Sequence, residues 1–265
     1  VLPEVMPSAF AGILIAVMIY AIGGGLLEVL VSPVVEACPT EHKDKAMSML
    51  HSFYCWGQVG VVLISTLFFA VAGTGRWQIL AVIWAILPLC NAGVFTKVPI
   101  APLIKEGESG MRLKELLGNR IFWILFFMMI CAGASEQAVS QWASAFAEEG
   151  LHISKTIGDL AGPMTFAVFM GTSRAFYGKY GEHIHLERFM AGSAFLCILF
   201  YLGISLLKVP QLSLACCALC GLSVGIMWPG TFSKASAALP GGGTALFALL
   251  ALGGDVGCST GPTVV

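Results

Sequence analysis

The sequence predicts an all-α polytopic membrane protein, a bundle of about eight transmembrane helices. Three observations predict it. Hydrophobic residues make up 57% of the chain and charged residues 11%, whereas a soluble domain carries roughly 25% charge. Charges are separated by apolar gaps at 5–27, 46–75, 77–96, 189–207, 209–233 and 235–254. Each gap can cross roughly 30 Å of hydrocarbon at about 1.5 Å per helical residue. Finally, eleven of the fourteen Lys and Arg residues fall in alternate connections: 38–45, 97–120, 174–188 and Lys234. By the bias of basic residues toward the cytoplasm, those connections lie inside and the first span runs from outside to inside.

Two further segments, about 120–147 and 157–178, carry isolated charges in apolar sequence. The predicted spans are therefore 8–37, 46–72, 77–96, 120–147, 157–178, 188–207, 210–236 and 242–265. β-Barrel strands would be shorter and would alternate, which these segments do not. The long polar connection 97–119 divides the chain into three parts: 1–96, the linker itself, and 120–265. A net charge of −1 argues against a nucleic-acid partner. The chain starts at Val1 and stops in an apolar stretch at Val265, so it is expected to be a piece of a longer protein.

The first span holds Gly23, Gly24 and Gly25, which would let a helix approach or bend, then Glu28 and Pro33. A carboxylate inside a span costs about 2.5–3.5 kcal/mol unless paired or neutral. Glu28 is thus a proton-coupling or substrate-handling candidate, or else a tie between helices, with Ser32 one turn on to share its hydrogen bond. The second span opens "HSFYCWGQVG". His51, Tyr54 and Gln58 stand at i, i+3 and i+7, on one helical face. They are expected to line a hydrated cavity or to form an interhelical hydrogen-bond cluster, with Trp56 pointing elsewhere.

The fourth span reads "SEQAVSQWASAFAEE". Glu136 with Ser140, and Gln137 with Gln141, are i, i+4 pairs. With Trp142 beside them they suit a neutral polyhydroxy solute; a solvated helix end is the alternative. In the seventh span Trp228 and Pro229 offer an aromatic wall and a bend. In the eighth, Asp255 is a further embedded acid, free for coupling, pairing or packing. The connection "GTSRAFYGKYGEHIHLER" places Arg174, Gly178 and Lys179 in a basic cytoplasmic loop, with His183 and His185 solvated. The nine cysteines lie mostly in apolar runs. The Cys217–Cys220 pair has no second such pair and no nearby histidine, so these read as small packing residues and no metal is expected.

An internal repeat is visible. Gly25 and Pro33 recur as Gly221 and Pro229; Gly57-Gln58-Val59-Gly60 recurs as Gly254-Asp255-Val256-Gly257. Order and membrane direction are kept, as for parallel repeats related by an axis along the membrane normal. There is no HExxH sequence and no large acidic loop, so nothing points to a membrane-embedded enzyme. A non-transporting sensor on a similar scaffold is the other alternative.

Four stretches, "GGGLLEVLVSPVVEACP", "LHSFYCWGQVG", "GTSRAFYGKYG" and "CGLSVGIMWPG", resemble the major facilitator superfamily, and within it the fucose–proton symporters and related sugar permeases. The resemblance implies helices four to eleven of a twelve-helix bundle, with 97–119 as the central cytoplasmic linker. It implies a monomeric, multi-pass transporter of a small polar solute such as a sugar, in a bacterial-type cytoplasmic membrane. The lipid bilayer would be its surroundings and a proton gradient its energy source, with no cofactor. In that branch a fourth-helix Glu takes part in proton coupling, and Glu28 stands at the matching place. Where the branch has Asn-Pro and a following Asn or Gln, this chain has Ser32-Pro33 and His51.

Overall fold

The computed structural model describes residues 2–103 and 110–264, so residues 104–109 of the predicted linker lie outside the described residues. Those described form helices and their connections, with no strand among them. In chain order the helices are α1 (Leu2–Val5), α2 (Ala9–Ala37), α3 (Lys43–Ala72), α4 (Trp77–Phe95), α5 (Leu113–Gly118), α6 (Arg120–Leu151), α7 (Lys155–Asp159), α8 (Thr165–Tyr180), α9 (Leu186–Leu206), α10 (Pro210–Val224), α11 (Met227–Ala238) and α12 (Gly243–Val264).

The ends follow from local chemistry. Ser8 Oγ accepts from Ala11 N–H at the start of α2, and Asn119 Oδ1 from Ile121 N–H at 2.8 Å at the start of α6. Helix α3 winds three residues further back than expected, taking in Lys43, Asp44 and Lys45. Asp44 in its first turn suits the positive end of the helix dipole. Helix α6 runs on to Leu151 and stops at His152, whose φ of 53° is left-handed.

Among the described residues seven helical segments are long and apolar enough to cross a membrane: Ala9–Ala37, Lys43–Ala72, Thr74–Phe95, Arg120–Leu151, Leu186–Leu206, Pro210–Ala238 and Gly243–Val264. The eighth predicted span, 157–178, is present as one unbroken helical stretch from Lys155 to Tyr180. It differs from the others because Lys155, Asp159, Arg174 and Lys179 reduce its apolarity. It also contains a π-helical turn at Leu160–Met164 around Pro163, whose missing N–H cannot complete a regular ladder. A break at Gly225–Ile226 separates α10 from α11 one turn before Pro229.

Small residues set how closely the helices approach. Along the crossing of α6 and α12, a Cβ added to Gly133 would stand 2.2 Å from Gly254 O, and one added to Gly257 would stand 2.0 Å from Ile130 O. Helix α3 lies on α8, with Cys55 and Trp56 against Gly171 and Met49 against Gly178. Gly221 lets α10 meet the backbone of α8 at Phe166. Phe122, Met129, Trp228, Phe232, Phe247 and Leu250 fill the centre of α6, α11 and α12.

Gly23, Gly24 and Gly25 do not behave as expected. Among the described residues nothing stands within 4 Å of a Cβ added at any of them, and α2 runs through them without a break. They neither admit a described helix nor bend their own. Pro33 is buried within the same unbroken helix.

Overpacking a tight contact costs about 1–3 kcal/mol. Gly257→Ala is therefore expected to lower the thermal midpoint of the purified full-length protein. Gly60→Ala, with open space at its Cβ, should be neutral or stabilising by up to about 1 kcal/mol. Fluorescence-detected gel filtration after heating compares the two; equal midpoints would show that the crossing tolerates extra volume.

Candidate functional site

The embedded polar residues converge from several helices on one side chain, Arg174 of α8. In a helix the Cα–Cβ bond tilts toward the N-terminus, so α8 sends this guanidinium back into the span. There Nη2 donates to Glu136 Oε2 at 2.9 Å, and Nε donates to Gly225 O at 2.7 Å. Nη1 donates to His51 O at 3.1 Å and to Cys55 Sγ at 3.2 Å. The ring of Tyr54 lies 5.9 Å from the guanidinium carbon. Side-chain exposure is 2% for Arg174 and 9% for Glu136, so this ion pair is closed off from solvent.

The row on α3 turns toward its neighbours. His51 Nε2 lies 3.3 Å from Ser32 Oγ of α2, and its ring stacks on Phe232 of α11 at 5.7 Å. Gln58 Nε2 donates to Ser140 Oγ of α6 at 3.4 Å. Tyr54 sits between them and is 58% exposed. Ser32 thus serves His51 and not Glu28, contrary to expectation.

Glu28 is half-buried on α2. Among the described residues its carboxyl has no hydrogen-bond or ion-pair partner. Asp255 is on an exposed face of α12. The three acids expected from sequence are therefore in different states: Glu136 is paired and buried, whereas Glu28 and Asp255 have no cation among the described residues.

Other expected positions fall elsewhere. Arg174 is not in a loop: it lies well inside α8, and Gly178 and Lys179 occupy that helix's last turn. Gly178 packs on Met49, and Lys179 Nζ lies 5.1 Å from the ring centroid of Tyr180. Gln137 is half-buried with no side-chain partner among the described residues, and Gln141 is exposed. Trp142 donates to Pro262 O at 2.9 Å, so it is pinned to α12 and away from the polar row. Trp228 is a core residue, wedged against Gly254 and edge-on to Phe232, and presents no open wall.

Sequence reasoning missed Arg174, Cys55 and Ser140 as one cluster. A signal existed: Ala167, Met170, Arg174 and Tyr177 are spaced three, four and three apart, a helical face, and all four are buried.

At the basic end the seam between α3 and α8 is polar. Tyr177 Oη donates to Asp44 at 2.6 Å, Lys45 Nζ to Glu182 at 2.9 Å, and Ser48 Oγ to Arg174 O at 2.8 Å. Ser236 Oγ donates to Glu36 at 2.7 Å. The bond and charge of Lys45 hold the Glu182 carboxyl below its usual range. That contact is therefore present above the ordinary carboxylate range and is lost as pH falls through the lowered value. A cavity of about 650 Å³ opens here beside Glu36, Lys43, Lys234 and Phe247.

Long apolar helices packed around a buried ion pair define a multi-pass α-helical membrane protein. The sequence profile of the Major Facilitator Superfamily matches residues 3–262, and the chain belongs to that family, whose members transport small solutes. A search of curated proteins finds none that matches.

Removing one partner of a buried ion pair leaves an unpaired charge and costs about 3–5 kcal/mol, whereas replacing both by apolar residues can be neutral. Arg174→Met is expected to lower the thermal midpoint clearly, and Arg174→Met with Glu136→Leu to restore most of it. Midpoints of the two purified proteins check this; a double variant as unstable as the single one would show that the charge pair is not the coupled unit.

Proposed function

We propose that this chain belongs to a proton-coupled transporter of small neutral polyhydroxy solutes that works by alternating access. Residues 1–96 and 120–265 form parts of two moving halves joined by a cytoplasmic linker at 97–119. The membrane is a bacterial-type cytoplasmic membrane, the working unit is a monomer, and a proton gradient supplies the energy.

One observation carries the reading. Among three embedded acids, Glu136 is paired with Arg174, while among the described residues Glu28 has no hydrogen-bond or ion-pair partner. An unpaired carboxyl is stable as the neutral acid when shut away from water and as the anion when water reaches it. That is the behaviour needed of a group which takes a proton on one side and releases it on the other. Glu28 takes this role, and Glu136 does not.

On α3, Tyr54 and Gln58 follow His51 by one and two turns, offering imidazole, phenol and amide groups to hydroxyls. Their own partners, Ser32 and Ser140, are neutral hydroxyls, which suits a solute without net charge. The resemblance to fucose–proton symporters supports a hexose as first probe.

In proteoliposomes holding the full-length protein, an inward proton gradient should drive accumulation of radiolabelled L-fucose, and a protonophore should collapse it. Glu28→Gln should abolish gradient-driven accumulation yet keep fucose exchange within about tenfold of wild type. Gradient-driven accumulation that survives Glu28→Gln would remove the coupling role. Binding of the sugar without any flux would favour a sensor.

A further inference from the structure

The contacts of Arg174 divide into two kinds. Pro229 has no N–H, so the carbonyl four residues earlier, that of Gly225, loses its usual helical donor. Arg174 Nε occupies it at 2.7 Å. Gly225 is required here, because a Cβ would stand 2.8 Å from that of Ser173 and block the approach of α8. Nη2 holds Glu136 through a charge-assisted bond. Both partners follow the linker in sequence, and both would be left buried and unsatisfied without the guanidinium.

The remaining contacts cross to α3, before the linker. His51 O lies inside α3, where the N–H of residue 55 is its helical partner, so the bond from Nη1 is an extra one. Cys55 Sγ is a weak acceptor that itself lies 3.6 Å from His51 O. The Tyr54 ring is a partly exposed neighbour. Losing these contacts orphans no backbone group on α3.

We infer that Arg174 is a positioning residue whose guanidinium is anchored in the second half and grips the first half only through α3. It stays with Glu136 and Gly225 throughout, and α3 comes off it when the halves part. The seam toward the basic end, Ser48 on Arg174 O and Asp44 on Tyr177 between the same two helices and Lys45 on Glu182 in the turn that follows α8, parts with it. This inference rests on the proposed reading of the two groups of helices as moving halves.

Hydrogen–deuterium exchange on the full-length protein in lipid nanodiscs tests it without any solute. Arg174→Lys keeps a charge for Glu136 but cannot reach Gly225, His51 and Cys55 together. Arg174→Met with Glu136→Leu removes the grip and leaves no buried charge behind. In both, exchange across residues 43–55 and 172–180 should rise about tenfold or more, while the α6–α12 crossing at 126–134 and 253–261 stays within about twofold of wild type. Wild-type exchange on α3 in either variant overturns the inference. So does a rise that spreads equally to the α6–α12 crossing, which would mark Arg174 as general packing. Because no transport is measured, failure here is distinct from failure of the fucose experiment.

Discussion

A guanidinium keeps its proton under all ordinary conditions. Once α8 carries Arg174 into the span, the surrounding chain has to supply oxygen atoms to meet it, and much of the architecture follows. Glu136 must be on the facing side of α6, and Ser140 one turn further presents a hydroxyl to Gln58 of α3. The carbonyl of Gly225 must be free, which requires Pro229 four residues on and the break between α10 and α11. Glycines at 171, 221 and 225 let α3, α8 and α10 close around the group. The polar interior is thus one connected arrangement across α3, α6, α8 and α11, and α2 adds Ser32 through His51.

That arrangement leaves the other acids conspicuous. Glu136 gives its charge to Arg174, while among the described residues Glu28 and Asp255 have no cation beside them. In a medium with little water to screen it, this difference between paired and unpaired carboxyls is large, and it separates a structural acid from one free to change its state. The three were equivalent in the sequence. Only the partner, 38 residues away along the chain, tells them apart.

Much of the fold was legible from hydropathy, because charge-free lengths are dictated by the hydrocarbon itself. Six segments could be read that way, and the His51–Tyr54–Gln58 row could be placed on one face by period alone. The interior was harder. Arg174 looked like a loop residue because a charge normally marks a span's end, and only pairing with Glu136 permits the exception. Gln141 and Trp142 share a segment with Glu136 but not its face. The apparent repeat also conceals a difference: Gly57 and Gly60 face open space, whereas Gly254 and Gly257 lie against the backbone or rings of neighbouring helices. Matching letters do not encode matching surroundings, since those depend on which helix comes alongside.

The π-helical turn at Leu160–Met164 has a consequence for phase. Ser144 Oγ meets Asp159 on one side of it, and Glu136 meets Arg174 on the other, so both acidic and basic groups look toward α6. Wound as plain α-helix, the same residues would swing everything beyond Met164 by about 100° relative to Asp159. Arg174 would then look away from its carboxylate. The wide turn works as a spacer that absorbs one surplus residue. A chain shortened by one there could straighten with its alignment intact, whereas one lengthened elsewhere in the helix would turn the Arg174 guanidinium toward the acyl chains.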